Sequence, residues 1–298
     1  MDFLLYWGTG AQIAFVFAAF GGGSVAGLCI VRRLVPVDHL QKNHEVAGVT
    51  FGVLGAFYGL VLAFVIVAAW EQFTAANANA HQEASALESL YKLSAGFAEP
   101  MRTRFDSAIF EYTERVVDEE WPQMANDAYR AQTGRTLKLW SILLSNHPAD
   151  SREQMLEDKA IDQLNVVGQT RNQRILYYQD DLPSVVWLVI YLGCAITIGF
   201  SYFFGSHVFR AQVVMCAFFS ILLGITILAI LELAHPYQGT VTIPDEPFRY
   251  ALSRMEEVAH YKMTEVGTSA GNPPISRALG AIASSQRKSQ TAHAKIPD

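Results

Sequence analysis

Apolar and polar positions separate into long blocks along this 298-residue chain. Residues 3–31, 46–70, 182–206 and 211–231 contain no Asp, Glu, Lys or Arg. A bilayer core of ~30 Å needs about 20 helical residues, so each block is long enough to cross one. The pattern predicts an all-α membrane protein with four transmembrane helices, near 8–31, 48–70, 184–204 and 212–234. The first belongs to segment 1–34 and the second to segment 35–70. A helical-bundle extramembrane domain (71–183) separates the second and third spans. An ordered post-membrane segment (235–263) and a disordered, Ser/Gly/Ala-rich tail (264–298) complete the expected organisation.

Between the second and third spans the periodicity stays helical but the composition turns polar. Phe73, Ala76, Ala80, Leu87, Leu90 and Tyr91 recur at three- and four-residue steps, which marks one apolar helix face. Neither Gly nor Pro interrupts the chain between Trp70 and Gly96, so the second span is expected to leave the membrane as one continuous helix. Pro100 suits the first turn of a returning helix, with Met101, Phe105, Ile109, Tyr112 and Val116 as its stripe and Trp121-Pro122 as its end. A short helix is expected at 136–144. Asp150-Ser151 with Gln154 reads as a capping box for a last helix that turns Met155, Ile161, Leu164, Val167, Ile175 and Tyr178 inward and stops before Pro183.

Charge sharpens this division. Segment 71–183 holds 11 Lys/Arg against 18 Asp/Glu, a net of −7 in a chain whose formal charge is −6. No basic face exists for nucleic acid. Mean hydropathy is +0.19 with 51% hydrophobic residues, which excludes an ordinary soluble enzyme, and the span length excludes a porin. Cys29, Cys194 and Cys216 all fall in apolar blocks and form no CxxC or disulfide framework. The first block lacks a basic leader and a small-residue cleavage site, so it is read as a retained span.

No nucleotide, hydrolase or metalloprotease motif occurs. His81-x-Glu83 and Glu257-x-x-His260 are too few for a carboxylate-bridged metal pair, so no enzyme activity, metal or cofactor is expected. Small residues are more informative. Gly23 and Gly27 on the first span, and Gly48, Gly52, Gly55 and Gly59 on the second, have the spacing that lets helices approach closely in lipid. The other side of the second span carries Leu54, Phe57, Val61, Phe64 and Ala68. Membrane aromatics commonly face lipid or another span. The alternative is an oligomer with the glycine stripe against the first span and this aromatic stripe lining an axis. Glu232, near His235, is an intramembrane acid that marks either a functional site or a reach to the interface one turn away. Asp118-Glu119-Glu120 and Arg171-x-x-Arg174 are dense enough to pair and hold two helices in register.

Several of these runs together resemble the bestrophin-like family of bacterial membrane proteins. They are 51–65 (FGVLGAFYGLVLAFV), Trp70-Glu71-Gln72-Phe73, Gln82-Glu83-Ala84-Ser85-Ala86-Leu87, Glu120-Trp121-Pro122, Arg171-x-x-Arg174, Leu182-Pro183-x-x-x-Trp187 and His235-Pro236-Tyr237-x-Gly239. The resemblance covers about residues 5–255 and is more distant to true bestrophins. It implies a homo-oligomer, five-membered by analogy, embedded in the lipid bilayer and passing small inorganic ions, anions first, with Phe57, Val61 and Phe64 as pore-lining neck candidates on the second span. The bestrophin acidic calcium clasp is missing, since Asp245-Glu246 alone follows the turn, so calcium gating is not implied. A scaffold or sensor acting through the acidic domain is the alternative. The resemblance also implies a bacterial inner-membrane location with both termini cytoplasmic. Arg171, Arg174, Arg249 and Arg254 flank that side, whereas Arg32, Arg33, Lys42 and Arg210 in the short connections point the other way under the positive-inside rule.

Overall fold

A computed structural model describes residues 2–35, 44–130, 134–203 and 208–267. Four helices are long and apolar enough to cross a membrane, and no strand occurs among the described residues. The first span joins α1 (Thr9–Val16), a π-helical turn (Phe17–Gly22) and α2 (Gly23–Leu34). Next, α3 (His44–Ser94) is one unbroken helix of 51 residues. At 1.5 Å per residue it is roughly 77 Å long, far more than a bilayer needs, so its second half stands outside the membrane. Expected disorder at 268–298, and most of the 35–45 connection, lie outside the described residues.

The chain returns through α4 (Met101–Arg115), a π-helical turn (Val116–Glu120) and α5 (Trp121–Ala125). Trp121-Pro122 therefore does not end this helix. Pro122 occupies the first turn of α5, where a missing N–H costs nothing, and the widened turn before it relieves the clash a proline imposes on the preceding turn. After α6 (Arg135–Leu144), α7 (Ser151–Gln179) runs back toward the membrane. Its capping pair differs from the expected one. Asp150 Oδ1 accepts the Glu153 N–H (2.8 Å), and Glu153 rather than Gln154 reaches back to the Ala149 N–H (2.8 Å). Met155 is exposed rather than inward, while Leu164 and Val167 are fully buried.

Residues 180–183 turn the chain into α8 (Ser184–Ser201), and α9 (Phe209–Ala234) crosses back. The last helix, α10 (Glu246–Gly267), reaches a few residues into the stretch read as disordered. Residues 1–252 form one compact unit. In the second, 253–298, Arg254 pairs with Glu257 along the same helix.

Within the first unit, α9 is the hub of the spans, packing on the first span, on α3 and on α8. Tyr58 and Leu62 of α3 meet Ile190 and Cys194 of α8 and Leu223, Ile227 and Ile230 of α9 in one buried cluster. The Tyr58 hydroxyl donates to the Ile190 carbonyl (2.6 Å), so its polar end is satisfied in an apolar setting. Outside the membrane, α3 packs on α7 and α4, and α6 closes over both. Phe105, Ile109, Met124, Leu139, Leu143 and Leu164 fill that bundle core.

Candidate functional site

The second span buries one edge and leaves the rest open. Tyr58, Leu62 and Ala69 point into the chain, while Phe57 and Phe64 are 72% and 69% exposed. Val61 is half-buried beside them. Val53, Leu60 and Val67 continue the open face along the span, and Glu71, Thr74 and Ala78 continue it past the apolar block. Trp70, 56% exposed, stacks on Phe73 at 6.3 Å where that block ends.

The glycine stripe does not meet the first span as expected. A Cβ added at Gly52, Gly55 or Gly59 would touch nothing within 4 Å, and Gly23 is equally open; Gly48 is half-buried. The physical reason is that the first span packs chiefly on α9. Close approach occurs elsewhere. A Cβ at Gly27 would lie 2.6 Å from the Tyr202 hydroxyl, and one at Gly224 2.7 Å from the Phe20 ring. Gly193 takes the Tyr58 ring against its backbone in the same way. Glycine spacing alone did not single out Gly193 or Gly224, because neither has a second glycine four residues away.

Beyond the membrane, a charged cluster is sealed inside the bundle. Glu83 of α3 holds Arg174 of α7 through two bonds, Oε2 to Nε at 2.8 Å and Oε1 to Nη2 at 3.1 Å. Arg174 Nη2 also donates to Glu120 Oε2 (2.8 Å), and Arg171 Nη2 to Glu120 Oε1 (2.6 Å). The Tyr112 hydroxyl donates to Glu83 (3.1 Å). The Arg174 guanidinium lies 5.5 Å from the Trp121 ring centre and 5.8 Å from that of Phe248. Burial would lift the Glu120 carboxyl, but Arg174 and Arg171 outweigh it and hold it below the usual carboxylate range. Burial, then the Glu83 charge, push the Tyr112 hydroxyl well above the usual tyrosine range. The Tyr112 phenol therefore stays a neutral donor and Glu120 stays charged.

At the end of the fourth span, a second acid is held differently. Glu232 Oε1 accepts from the Gln12 side-chain amide (2.5 Å), which also donates to the Leu4 carbonyl (3.0 Å). Glu232 Oε2 accepts the Thr240 N–H (2.8 Å), the Val241 N–H (3.0 Å) and the Thr240 hydroxyl (3.2 Å). Gly239 has φ +89°, and a Cβ there would fall 2.5 Å from Glu232 Oε2. This acid therefore ties the first span and the post-membrane turn to the fourth, a structural role that sequence reading left open.

The remaining motif residues frame the same two places. Pro183 caps α8, and the Trp187 indole donates to Asp181 (3.4 Å) and stacks on Tyr191. The Trp121 indole donates to the Ile243 carbonyl (3.1 Å), with the Tyr237 ring edge-on to it at 5.4 Å. The Pro236 carbonyl accepts the Ile243 N–H (2.8 Å) and closes the turn.

A sequence profile of the Bestrophin-like domain matches residues 18–248, most of the chain. The chain belongs to the Bestrophin-like family. No curated protein matches it. Among solved structures, it is similar to a bacterial bestrophin homologue from Klebsiella pneumoniae, at 14% identity and TM-score 0.57 over 82% of this chain and 97% of that one. A single-site variant of that homologue gives 15% identity and TM-score 0.59 over 84% and 99%. At such identities the likeness is one of fold. This Bestrophin-like chain is thus an all-α membrane protein, and among its described residues no group of three His, Cys, Asp or Glu is placed to hold a metal ion.

Proposed function

We propose that the protein assembles as a ring of identical subunits, five by analogy with bestrophins, whose second spans line a passive ion pathway. The observation that carries this reading is the open face of α3. Its own chain leaves an aromatic-edged strip uncovered along the whole span, while the other edge is buried. Phe57, Val61 and Phe64 step by four and three residues and so stack about one turn apart, forming a hydrophobic neck that gates by excluding water. The open glycine flank, Gly52, Gly55 and Gly59, suits the close approach of a neighbouring subunit. Anions are the first candidates by family analogy, and lipid and small ions are the partners. The membrane is the bacterial inner membrane, with the bundle and both termini in the cytoplasm.

Reconstituted liposome flux tests the reading. Phe64→Ala and Phe57→Ala are expected to raise ion flux with the oligomer intact, whereas Gly55→Leu, which meets no atom of its own chain, breaks the oligomer. Reversal potentials in a chloride gradient decide the ion. A measurable wild-type current that neither Phe variant changes would move the pathway away from this face. A monomer without current would leave the acidic bundle as a scaffold. Thiol labelling of Ser145→Cys against Leu34→Cys in intact cells reads the orientation.

A further inference from the structure

Outside the membrane the bundle contains a cavity that the channel reading leaves unused. It measures 230 Å³ and lies between α4 and the start of α6, with Glu111, Tyr112, Arg115, Arg135 and Lys138 among its lining residues. In a segment that carries a net charge of −7, this wall gathers three cations against one carboxylate. Glu111 draws Arg115 (2.7 Å) and Lys138 (2.5 Å) from one edge, and their side chains are 50% and 57% exposed, free to turn toward a guest. Arg135 is the fixed member. Its side chain is 9% exposed and reaches Glu119 (2.8 Å) and Glu120 (3.3 Å).

Two guanidinium groups and an ammonium from two helices suit a compact, multiply charged oxyanion. The Arg115 guanidinium can take a pair of oxygens and the Lys138 ammonium adds a point charge, with Arg135 held behind them by its own acids. Glu111 alone faces Arg115 and Lys138, while Glu119 and Glu120 hold Arg135. We propose that this cavity binds a small phosphate-class oxyanion. The ligand comes from solution rather than from a lipid headgroup. Tyr112 of the lining bonds Glu83, which stands twelve residues beyond Glu71 on the same helix, or roughly 18 Å past the apolar block at 1.5 Å per residue. That exceeds the ~8–10 Å over which headgroup charge acts at physiological salt. Occupancy would also reach the buried cluster, because Arg135 touches Glu120 directly.

The test is thermal unfolding of the full chain in detergent, titrated with inorganic pyrophosphate against sodium chloride of equal ionic strength. A saturable rise in melting temperature is expected with pyrophosphate alone. Lys138→Gln and Arg115→Gln, both surface positions, should each raise the half-saturating concentration about tenfold, as loss of one charge-assisted hydrogen bond implies. Glu111→Gln, which removes the competing carboxylate, should lower it. No rise beyond that in chloride, or an equal rise in all three variants, would overturn the proposal. Vesicles containing phosphatidic acid should protect no better than neutral ones. Protection by those vesicles, with none from pyrophosphate, would place the cation cluster at a membrane surface and refute a soluble ligand.

Discussion

Glu83 and Glu232 are both buried acids, at 0% and 5% exposure, yet the protein stabilises them by opposite means. Glu83 faces a guanidinium and sits in a network of acids and arginines from α3, α7 and the turn before α5. Glu232 is met by a side-chain amide, a hydroxyl and two backbone N–H groups. The ionic solution joins three helices across the bundle, where long side chains have room to meet. The dipolar solution holds a tight turn against two helix ends, where backbone amides are already within reach. A charge held by dipoles needs no second buried ion, which suits a site beside the membrane, where each buried charge is costly. The comparison predicts that the two sites will fail differently.

The largest effect is expected in the bundle. Arg174→Met leaves Glu83 and Glu120 buried without their shared cation, and removing one partner of a buried pair costs about 3–5 kcal/mol. Replacing the acid as well, in Glu83→Gln/Arg174→Met, should recover part of that loss, because no unpaired charge remains on the α3 side. A double-mutant cycle by thermal unfolding in detergent measures the coupling. Independent, additive losses would mean the cluster does not act as a unit.

The membrane-edge site should lose less. Glu232→Gln keeps the shape and one carbonyl acceptor, so the cost is the weakening of charge-assisted bonds, about 1–3 kcal/mol. Gly239→Ala should cost a similar amount by another route. Its φ of +89° disfavours a side chain, and the new Cβ would press on the carboxylate. If both changes act on one contact, the double variant is less destabilised than their sum. Full additivity would show that the turn and the acid are separate.

These sites also differ in how far the sequence disclosed them. The uninterrupted α3 was legible because Gln-, Ala- and Glu-rich sequence without Gly or Pro leaves helix as the natural continuation. Arg171 and Arg174 stand out as two cations three residues apart, dense enough to pair with the acids beside Trp121. Their link to Glu83 was hidden, since 91 residues separate Glu83 from Arg174. Gln12 and Glu232 lie 220 residues apart, and no local pattern marks an amide as the partner of an acid. The glycine stripe shows the other limit. Spacing identified a small face, but which helix covers it depends on how the spans pack, and the first span had chosen α9.

The smallest expected effect is a pH dependence confined to the ionic site. Glu120 is held below the usual carboxylate range by Arg174 and Arg171, against burial. A depressed native value means the unfolded chain takes up its proton first as pH falls. Stability from this acid is therefore complete above the unfolded value of about 4.5, and is lost as pH drops through the lower native value. Melting temperature should fall in that acidic window, and Arg171→Gln should shallow the fall by removing one of the charges that depress Glu120. Glu232→Gln should leave the contribution of Glu120 intact, because its partners belong to the membrane edge. An acid-range slope that Arg171→Gln leaves unchanged would assign the pH response to other carboxylates and remove the titrating half of the contrast.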